Sequence, residues 1–346
     1  MFDLKKLLSV AGFLMIPCVL FCQMRELSFY EVRPRIGKIT IDGKLDEDAW
    51  KKIPVHQNYY EYWKNNPKPG ALKTTYRMVY DETGLYMAVV NYDDNIPALK
   101  RTISEYDNGS IWTDDCGEFY FDPAANGIGY TKITINANGA FADMRRMDAA
   151  VSLNDWNGIG TLTAASIGKD AWYIEAFFPW EDLNGVPKSG SLWQFCHARF
   201  SWTKGFRGMA SSPGGNYNAT DKFGYLYFSD GKTALDPARI GALLQTKAAV
   251  PWCIPCGDIL VSCTGSVLKM DVLAELVKAE ADKYRLYLLE IETIDSKSFA
   301  KDVSKVCKDI KSVKNSDPMT RYRAYQNANS VLFGIKWNIL LNKYYK

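Results

Sequence analysis

Between Lys38 and Phe228 the chain runs as a succession of short segments rich in Val, Ile, Tyr, Phe and Thr, each closed by turn-forming residues. These segments are Lys38–Ile41, Thr74–Tyr80, Leu85–Tyr92, Cys116–Phe121, Tyr130–Asn136, Phe141–Met144, Ala171–Phe178, Leu192–Phe200 and Tyr225–Phe228. No helices of similar spacing fall between them, so the pattern predicts a mainly β fold, an antiparallel β-sandwich of jelly-roll type, and excludes a doubly wound α/β fold. Asp81-Glu82-Thr83-Gly84 marks a hairpin turn between two runs. One isolated helical turn is expected after Pro179, at Trp180-Glu181-Asp182-Leu183.

Beyond the last of these runs the period changes. Met270, Leu273, Val277, Tyr284, Tyr287, Ile291 and Ile294 predict a helix from about 267 to 294 with one apolar face. Phe299, Val303, Val306, Ile310 and Val313 repeat the pattern, and Asp317-Pro318 reads as an N-cap opening a third helix through Leu332, Ile335 and Ile339. Charge divides the chain at the same place: residues 23–230 hold 22 basic and 26 acidic side chains, whereas 231–346 hold 18 and 12. The expected organisation is a signal peptide over 1–22, a β-sandwich over 23–230, a linker containing Cys and Pro over 231–266, and a helical hairpin or three-helix tail over 267–346.

The signal reading rests on Lys5 and Lys6 followed by the apolar stretch Leu7 to Phe21, which implies a secreted or cell-envelope protein cleaved after Cys22. A lipid anchor on Cys22 is the rival reading. No later apolar run is long enough to suggest a transmembrane span. Six cysteines follow the cut: Cys116, Cys196, Cys253, Cys256, Cys263 and Cys307. Cys253-x-x-Cys256 with Cys263 resembles half a zinc site, but there is no second such pair and only His56 and His197 are available, so local disulfides are the stronger expectation. Cys116 and Cys196 sit in strand-like runs and read as small apolar residues.

A net charge of +3 from 42 basic and 39 acidic residues argues against nucleic acid as a partner. Nucleophile-elbow, zincin and phosphate-loop motifs are absent. His197 alternates with Trp193, Phe195 and Arg199 along one strand face and reads as structural. Asp114, Asp115, Glu118 and Asp122 surround one strand, but Glu118 and Asp122 are about 13 Å apart along it, beyond the separation that either glycosidase geometry uses. A partner carboxylate from another strand would restore that chemistry. The other reading starts from Trp112, a poor core residue in the polar turn from Asp107 to Asp115. Glu118 and Tyr120 share a strand face, and Lys132, Thr134 and Asn136 share one on the next run. An indole beside a polar face suits a sugar, whose C–H faces stack on rings and whose hydroxyls need fixed partners.

The order of five blocks resembles the family 9 carbohydrate-binding modules, a DOMON-like β-sandwich group. They are Ile39-Thr40-Ile41-Asp42-Gly43-Lys44-Leu45-Asp46-Glu47-Asp48-Ala49-Trp50, Tyr80-Asp81-Glu82-Thr83-Gly84-Leu85-Tyr86, Trp112-Thr113-Asp114-Asp115-Cys116-Gly117-Glu118, Trp172-Tyr173-Ile174-Glu175-Ala176-Phe177-Phe178-Pro179-Trp180, and Lys222-Phe223-Gly224. The resemblance covers about residues 36–230. It implies a glycan end held between two aromatics, Trp112 and Tyr217, with Glu118, Thr134 and Asn136 reading hydroxyls. Tyr217 stands where the family has Trp, and Thr134 where it has Arg. A structural Ca2+ is also implied, with Asp93, Asp94 and Asp122 as candidate oxygen donors. The expected function is therefore non-catalytic binding of an oligo- or polysaccharide, within polysaccharide catabolism. A glycoside hydrolase or lyase using Glu118, and a cell-envelope scaffold that holds a protein partner through the helical tail, remain as alternatives.

Overall fold

The computed structural model describes residues 24–64, 67–294 and 299–344; the expected signal segment and Cys22 lie outside the described residues. Two compact units are present, Met1–Ala234 with Leu243–Trp252, and Leu235–Ala242 with Cys253–Lys346.

Strands of the first unit are β1 (Arg25–Glu26), β2 (Phe29–Pro34), β3 (Tyr60–Glu61), β4 (Thr74–Tyr80), β5 (Gly84–Tyr92), β6 (Cys116–Asp122) and β7 (Tyr130–Asn136). They continue with β8 (Phe141–Arg146), β9 (Ser152–Leu153), β10 (Leu162–Ile167), β11 (Ala171–Pro179), β12 (Leu192–Ser201), β13 (Arg207–Ala210) and β14 (Gly224–Phe228). The large sheet is ordered β10-β11-β5-β4-β2-β14-β12-β6-β7-β8-β9. It is a curled mixed sheet that folds on itself as a sandwich, and β2 joins the two layers. Phe29–Val32 pair with β14, whereas Arg33 and Pro34 pair with β4, and both pairings are parallel. The other ladders of the sheet for which register is resolved are antiparallel.

Period-2 alternation explains the core. Phe119 and Phe121 of β6, Ile133 and Ile135 of β7, and Trp193 and Phe195 of β12 turn inward from one layer. They meet Met78 of β4, Met87 and Val89 of β5, and Trp172, Ile174 and Phe178 of β11 from the other. Full burial of each large side chain contributes about 1.5–3 kcal/mol, so this cluster dominates the stability of the sandwich.

Lys38–Ile41, expected as a strand, is instead an unpaired extended segment. Ile39 packs with Ala49, Trp50, Val79 and Ala88 as a lid on one sheet face, so its apolar residues are buried without ladder pairing. Helix α1 (Asp48–Lys51) follows it, and α2 (Trp180–Leu183) forms where the turn after Pro179 was expected. The Asp81–Gly84 hairpin also forms, with Asp81 Oδ1 accepting the N–H groups of Thr83 (2.8 Å) and Gly84 (3.2 Å).

In the second unit the region read as a linker is structured. Helix α3 (Pro237–Gln245) is followed by β15 (Trp252–Cys256), β16 (Ile259–Thr264) and β17 (Val267–Val272), adjacent in a small sheet. A Cβ on Gly241 would lie 2.9 Å from Leu268 and from Val261, which shows how closely α3 packs on this sheet. Residues on both faces of β16 are buried, so no alternation reached the sequence pattern. The first predicted helix begins at Leu273, not near 267. Met270, counted in its stripe, is 51% exposed and is the strand partner of Val261. Helices α4 (Leu273–Ile294), α5 (Ala300–Ser312) and α6 (Pro318–Tyr344) then form the three-helix tail. Ile291, Val306, Leu332, Ile335 and Ile339 are at its centre, and Asp317 Oδ1 caps α6 by accepting Thr320 N–H at 2.9 Å. Among the described residues no helix is long and apolar enough to cross a membrane.

Candidate functional site

The face of β6, β7 and β12 that points away from the sandwich core is the candidate site. Because the large rings of β6 take the inward positions, Glu118 and Tyr120 are left on this outer face, and register places Glu118 beside Thr134 on β7 and Ala198 on β12. Glu118 is buried, and both its oxygens are engaged. Lys132 Nζ donates to Oε1 at 2.9 Å and the Tyr120 hydroxyl donates to Oε2. Tyr120 is also hydrogen-bonded to the Tyr62 hydroxyl, which in turn accepts Tyr217 N–H at 3.4 Å. Burial pushes both phenols up, so each stays protonated; Tyr120 donates its one proton to Glu118 and Tyr62 donates to Tyr120. The floor is thus a connected Lys132–Glu118–Tyr120–Tyr62 network.

Aromatic rings extend from this floor in an unbroken chain. Trp112 lies 6.4 Å from Trp202, Trp202 4.9 Å from Phe206, and Phe206 5.5 Å from Phe200. Phe200 is 5.1 Å from Tyr62, Tyr62 5.6 Å from Trp63, and Trp63 5.1 Å from Tyr217. Phe200 and Tyr62, in the middle, are buried, whereas both ends of the chain are open: Trp112 and Phe206 are 48% and 51% exposed, and Trp63 and Tyr217 are 52% and 42%. Trp112 and Tyr217, distant in sequence, therefore belong to two exposed aromatic groups joined through the Tyr62 that touches the Glu118 network.

Each wall is held from below. Asp114 is fully buried and accepts from Thr102 Oγ1 (2.9 Å), Ile103 N–H (2.9 Å) and Asn136 Nδ2 (3.1 Å). Asp115 accepts Lys100 N–H at 2.7 Å and Trp202 N–H at 3.1 Å, which ties the loop of Trp112 to that of Trp202. Lys100 Nζ rests 5.4 Å over the Trp202 ring. Trp63 takes a left-handed backbone, φ 64°, uncommon outside glycine and a form of strain characteristic of functional sites.

Two expected hydroxyl readers have different surroundings. Thr134 is on the floor face but almost fully buried. Asn136 is wholly buried: Nδ2 donates to Ile103 O and Asp114, and Oδ1 accepts Asn138 and Ala140 N–H, both at 3.1 Å. Its amide holds the Trp112 loop, which corrects the reading of Asn136 as a ligand contact. Trp63, Trp202, Phe206 and Tyr62 were not read from sequence as site residues, and Lys132 was read only as part of the polar face it shares with Thr134 and Asn136. The Tyr59-Tyr60-Glu61-Tyr62-Trp63 run and the Trp202-to-Phe206 pair around a polar turn were the available signals.

The candidate calcium ligands do not fit a cation. Asp93 faces Arg199 at 3.0 Å, with both side chains fully buried, and also accepts from Ser201 and Thr203. Asp94 is paired with Lys204 at 2.9 Å and Arg207 at 3.2 Å. Asp122 accepts the N–H groups of Asn126 and Gly127 and closes its own turn. Arg and Lys side chains at Asp93 and Asp94, and backbone N–H groups at Asp122, already engage these carboxylates. Among the described residues no three His, Cys, Asp or Glu side chains converge as a metal site. Cys253 and Cys256 are buried on β15 and Cys263 on β16, while Cys116 and Cys196 are small buried residues on the same face as Glu118 and Tyr120. His197 is wholly buried, stacked 4.6 Å from Phe119, and burial pushes its imidazole down to about 3, so it stays neutral. It is structural, as its place among core residues implied.

Fold and face together define a jelly-roll-type β-sandwich carrying a loop-walled aromatic surface on one sheet. The family model described as "Carbohydrate family 9 binding domain-like" matches residues 41–230, and the chain belongs to that family. Among solved structures it is similar to a candidate carbohydrate-binding protein from Bacteroides uniformis, at 14% identity and a TM-score of 0.48 over 59% of this chain and 100% of that one. It is also similar to a family 9 carbohydrate-binding module from Caldicellulosiruptor kristjanssonii, in its complexes with cellotriose and with glucose. Each shows 16% identity and a TM-score of 0.42 over 60% of this chain and 98% of the other. No curated protein sequence matches it.

Proposed function

We propose that the β-sandwich binds a saccharide on the outer face of β6, β7 and β12 without cleaving it. Rings of Trp112, Trp202 and Phe206 form one wall, Trp63 and Tyr217 the other, and Lys132 hydrogen-bonds the sugar from the floor. One observation carries the reading: exposed rings lie at both ends of a chain whose buried middle touches a charged, hydrogen-bonded floor. Apolar C–H faces and hydroxyls would both find partners there. Glu118 acts by orienting Lys132 and Tyr120, since both its oxygens are engaged within the floor. We also propose that residues 1–22 direct export, on the strength of Lys5, Lys6 and the apolar run that follows, which places the protein where polysaccharides are met.

The test is a glycan array on the mature chain, followed by calorimetry with the best oligosaccharide. Trp112→Ala and Trp63→Ala are each expected to weaken binding by about 1–3 kcal/mol, roughly 5- to 150-fold. Unchanged affinity in both folded variants refutes the site. Reducing sugar released from a polysaccharide panel, and abolished by Glu118→Gln, would replace binding with hydrolysis.

A further inference from the structure

The helical tail contains a cavity of about 460 Å³ between α4, the end of α5 and the start of α6. Its floor is apolar, made by Val277 and Ala281 of α4 with Ile310 and Val313. Around that floor stand four cations, Lys278, Lys311, Lys314 and Arg321, with Tyr325 beside them and no carboxylate in the lining. Among the described residues none of the four forms an ion pair, and Arg321 Nε is buried with no hydrogen-bond partner. Helix-end electrostatics explain only part of this. Lys311 and Lys314 suit the negative C-terminal end of α5, but Arg321 lies in the first turn of α6, where the dipole disfavours a cation. Lys278 is inside α4, away from either end.

We propose that this cavity binds an amphiphilic anion, a carboxylate or phosphate head on an alkyl chain. Its volume is in the range of small-molecule sites. An inorganic anion would leave the Val277–Ala281–Ile310–Val313 floor uncovered, and a neutral chain would leave the four cations around it without a counter-charge. The head is placed at Arg321 and the lysines, and the chain over the floor. The chemistry is shared by a free alkyl acid and by an anionic lipid of a bilayer.

The experiment uses the full chain. Calorimetric titration with laurate is compared with acetate, which has the head alone, and dodecanol, which has the chain alone. Laurate is expected to bind at least about tenfold more tightly than either. The exposed pair Lys311→Gln/Lys314→Gln should weaken it several-fold, and Arg321→Gln further. Should Arg321→Gln fail to fold, the lysine pair still reads the charge contribution. Co-flotation with vesicles containing an anionic phospholipid but not with phosphatidylcholine vesicles assigns the ligand to the bilayer. Laurate binding without flotation assigns it to a free acid. Laurate that binds no better than acetate or dodecanol, or that is indifferent to both sets of substitutions, overturns the proposal.

Discussion

Glu175 is the carboxylate by which two separated sequence blocks meet. It lies on β11 with no solvent exposure; Oε2 accepts Asp42 and Gly43 N–H, both at 3.0 Å, and Oε1 accepts Trp50 Nε1 at 3.0 Å. Burial pushes its carboxyl up, and these three donors offset only part of that rise. A glutamine at this position keeps the shape but presents one oxygen and one amide NH2, so at least one of the two donor sets faces another donor. Holding the Asp42–Gly43 turn leaves the Trp50 indole N–H buried and unpaired, a cost of about 1–3 kcal/mol, and weakens two charge-assisted bonds to neutral ones. Glu175→Gln is therefore expected to destabilise the protein by about 2–4 kcal/mol, and to lower Tm by about 5–10 °C for a unit of this size. Urea unfolding monitored by tryptophan fluorescence supplies the free energy. Trp50→Phe removes the same donor from the other side. The double variant should cost about 1–2 kcal/mol less than the sum of the single ones. Glu175→Gln within about 0.5 kcal/mol of the parent, or strict additivity with Trp50→Phe, refutes the reasoning.

Three further outcomes follow from the same structure. A Cβ on Gly117 would lie 2.6 Å from His197 Nε2, and that ring is fixed by Phe119 and by the Tyr59 hydroxyl, so Gly117→Ala should destabilise by about 1–3 kcal/mol in a chemical melt. Burial, with Asp107 and Asp182 nearby, pushes the Asp143 carboxyl up to about 6. The folded state then takes up this proton before the unfolded chain does, so the parent should gain about 2 kcal/mol over Asp143→Asn between pH 7 and pH 4.5; a pH-independent difference in urea melts denies it. Arg199→Met strips the buried Asp93 of its main cation and should cost about 3–5 kcal/mol, measurable as a fall in Tm.

The Trp112-to-Glu118 block was legible as a candidate site because an indole amid acids has no place in a core. Its geometry was not legible. Asn136 looked like a hydroxyl reader until its amide proved to be occupied by the Trp112 loop. Trp63 and Trp202 were hidden because nothing local distinguishes a displayed ring from a buried one: Trp172 and Trp193 stand in comparable company and are buried. In the small sheet over 252–272, β16 was missed because a strand covered on both faces loses the alternation that reveals it, and β17, largely exposed, was absorbed into the helical stripe through Met270.

The sequence by itself determined the sandwich, the hairpin at Asp81, the cap at Asp317 and the three-helix tail, because each depends on contacts between near neighbours: side-chain alternation, turn chemistry and helical period. Tertiary structure decided which rings are displayed, which carboxylates are taken by arginine, and how β2 passes from one layer to the other. Those outcomes depend on contacts such as Asp93 to Arg199 or Trp63 to Tyr217, more than a hundred residues apart in the chain, where only the closed fold brings the groups together.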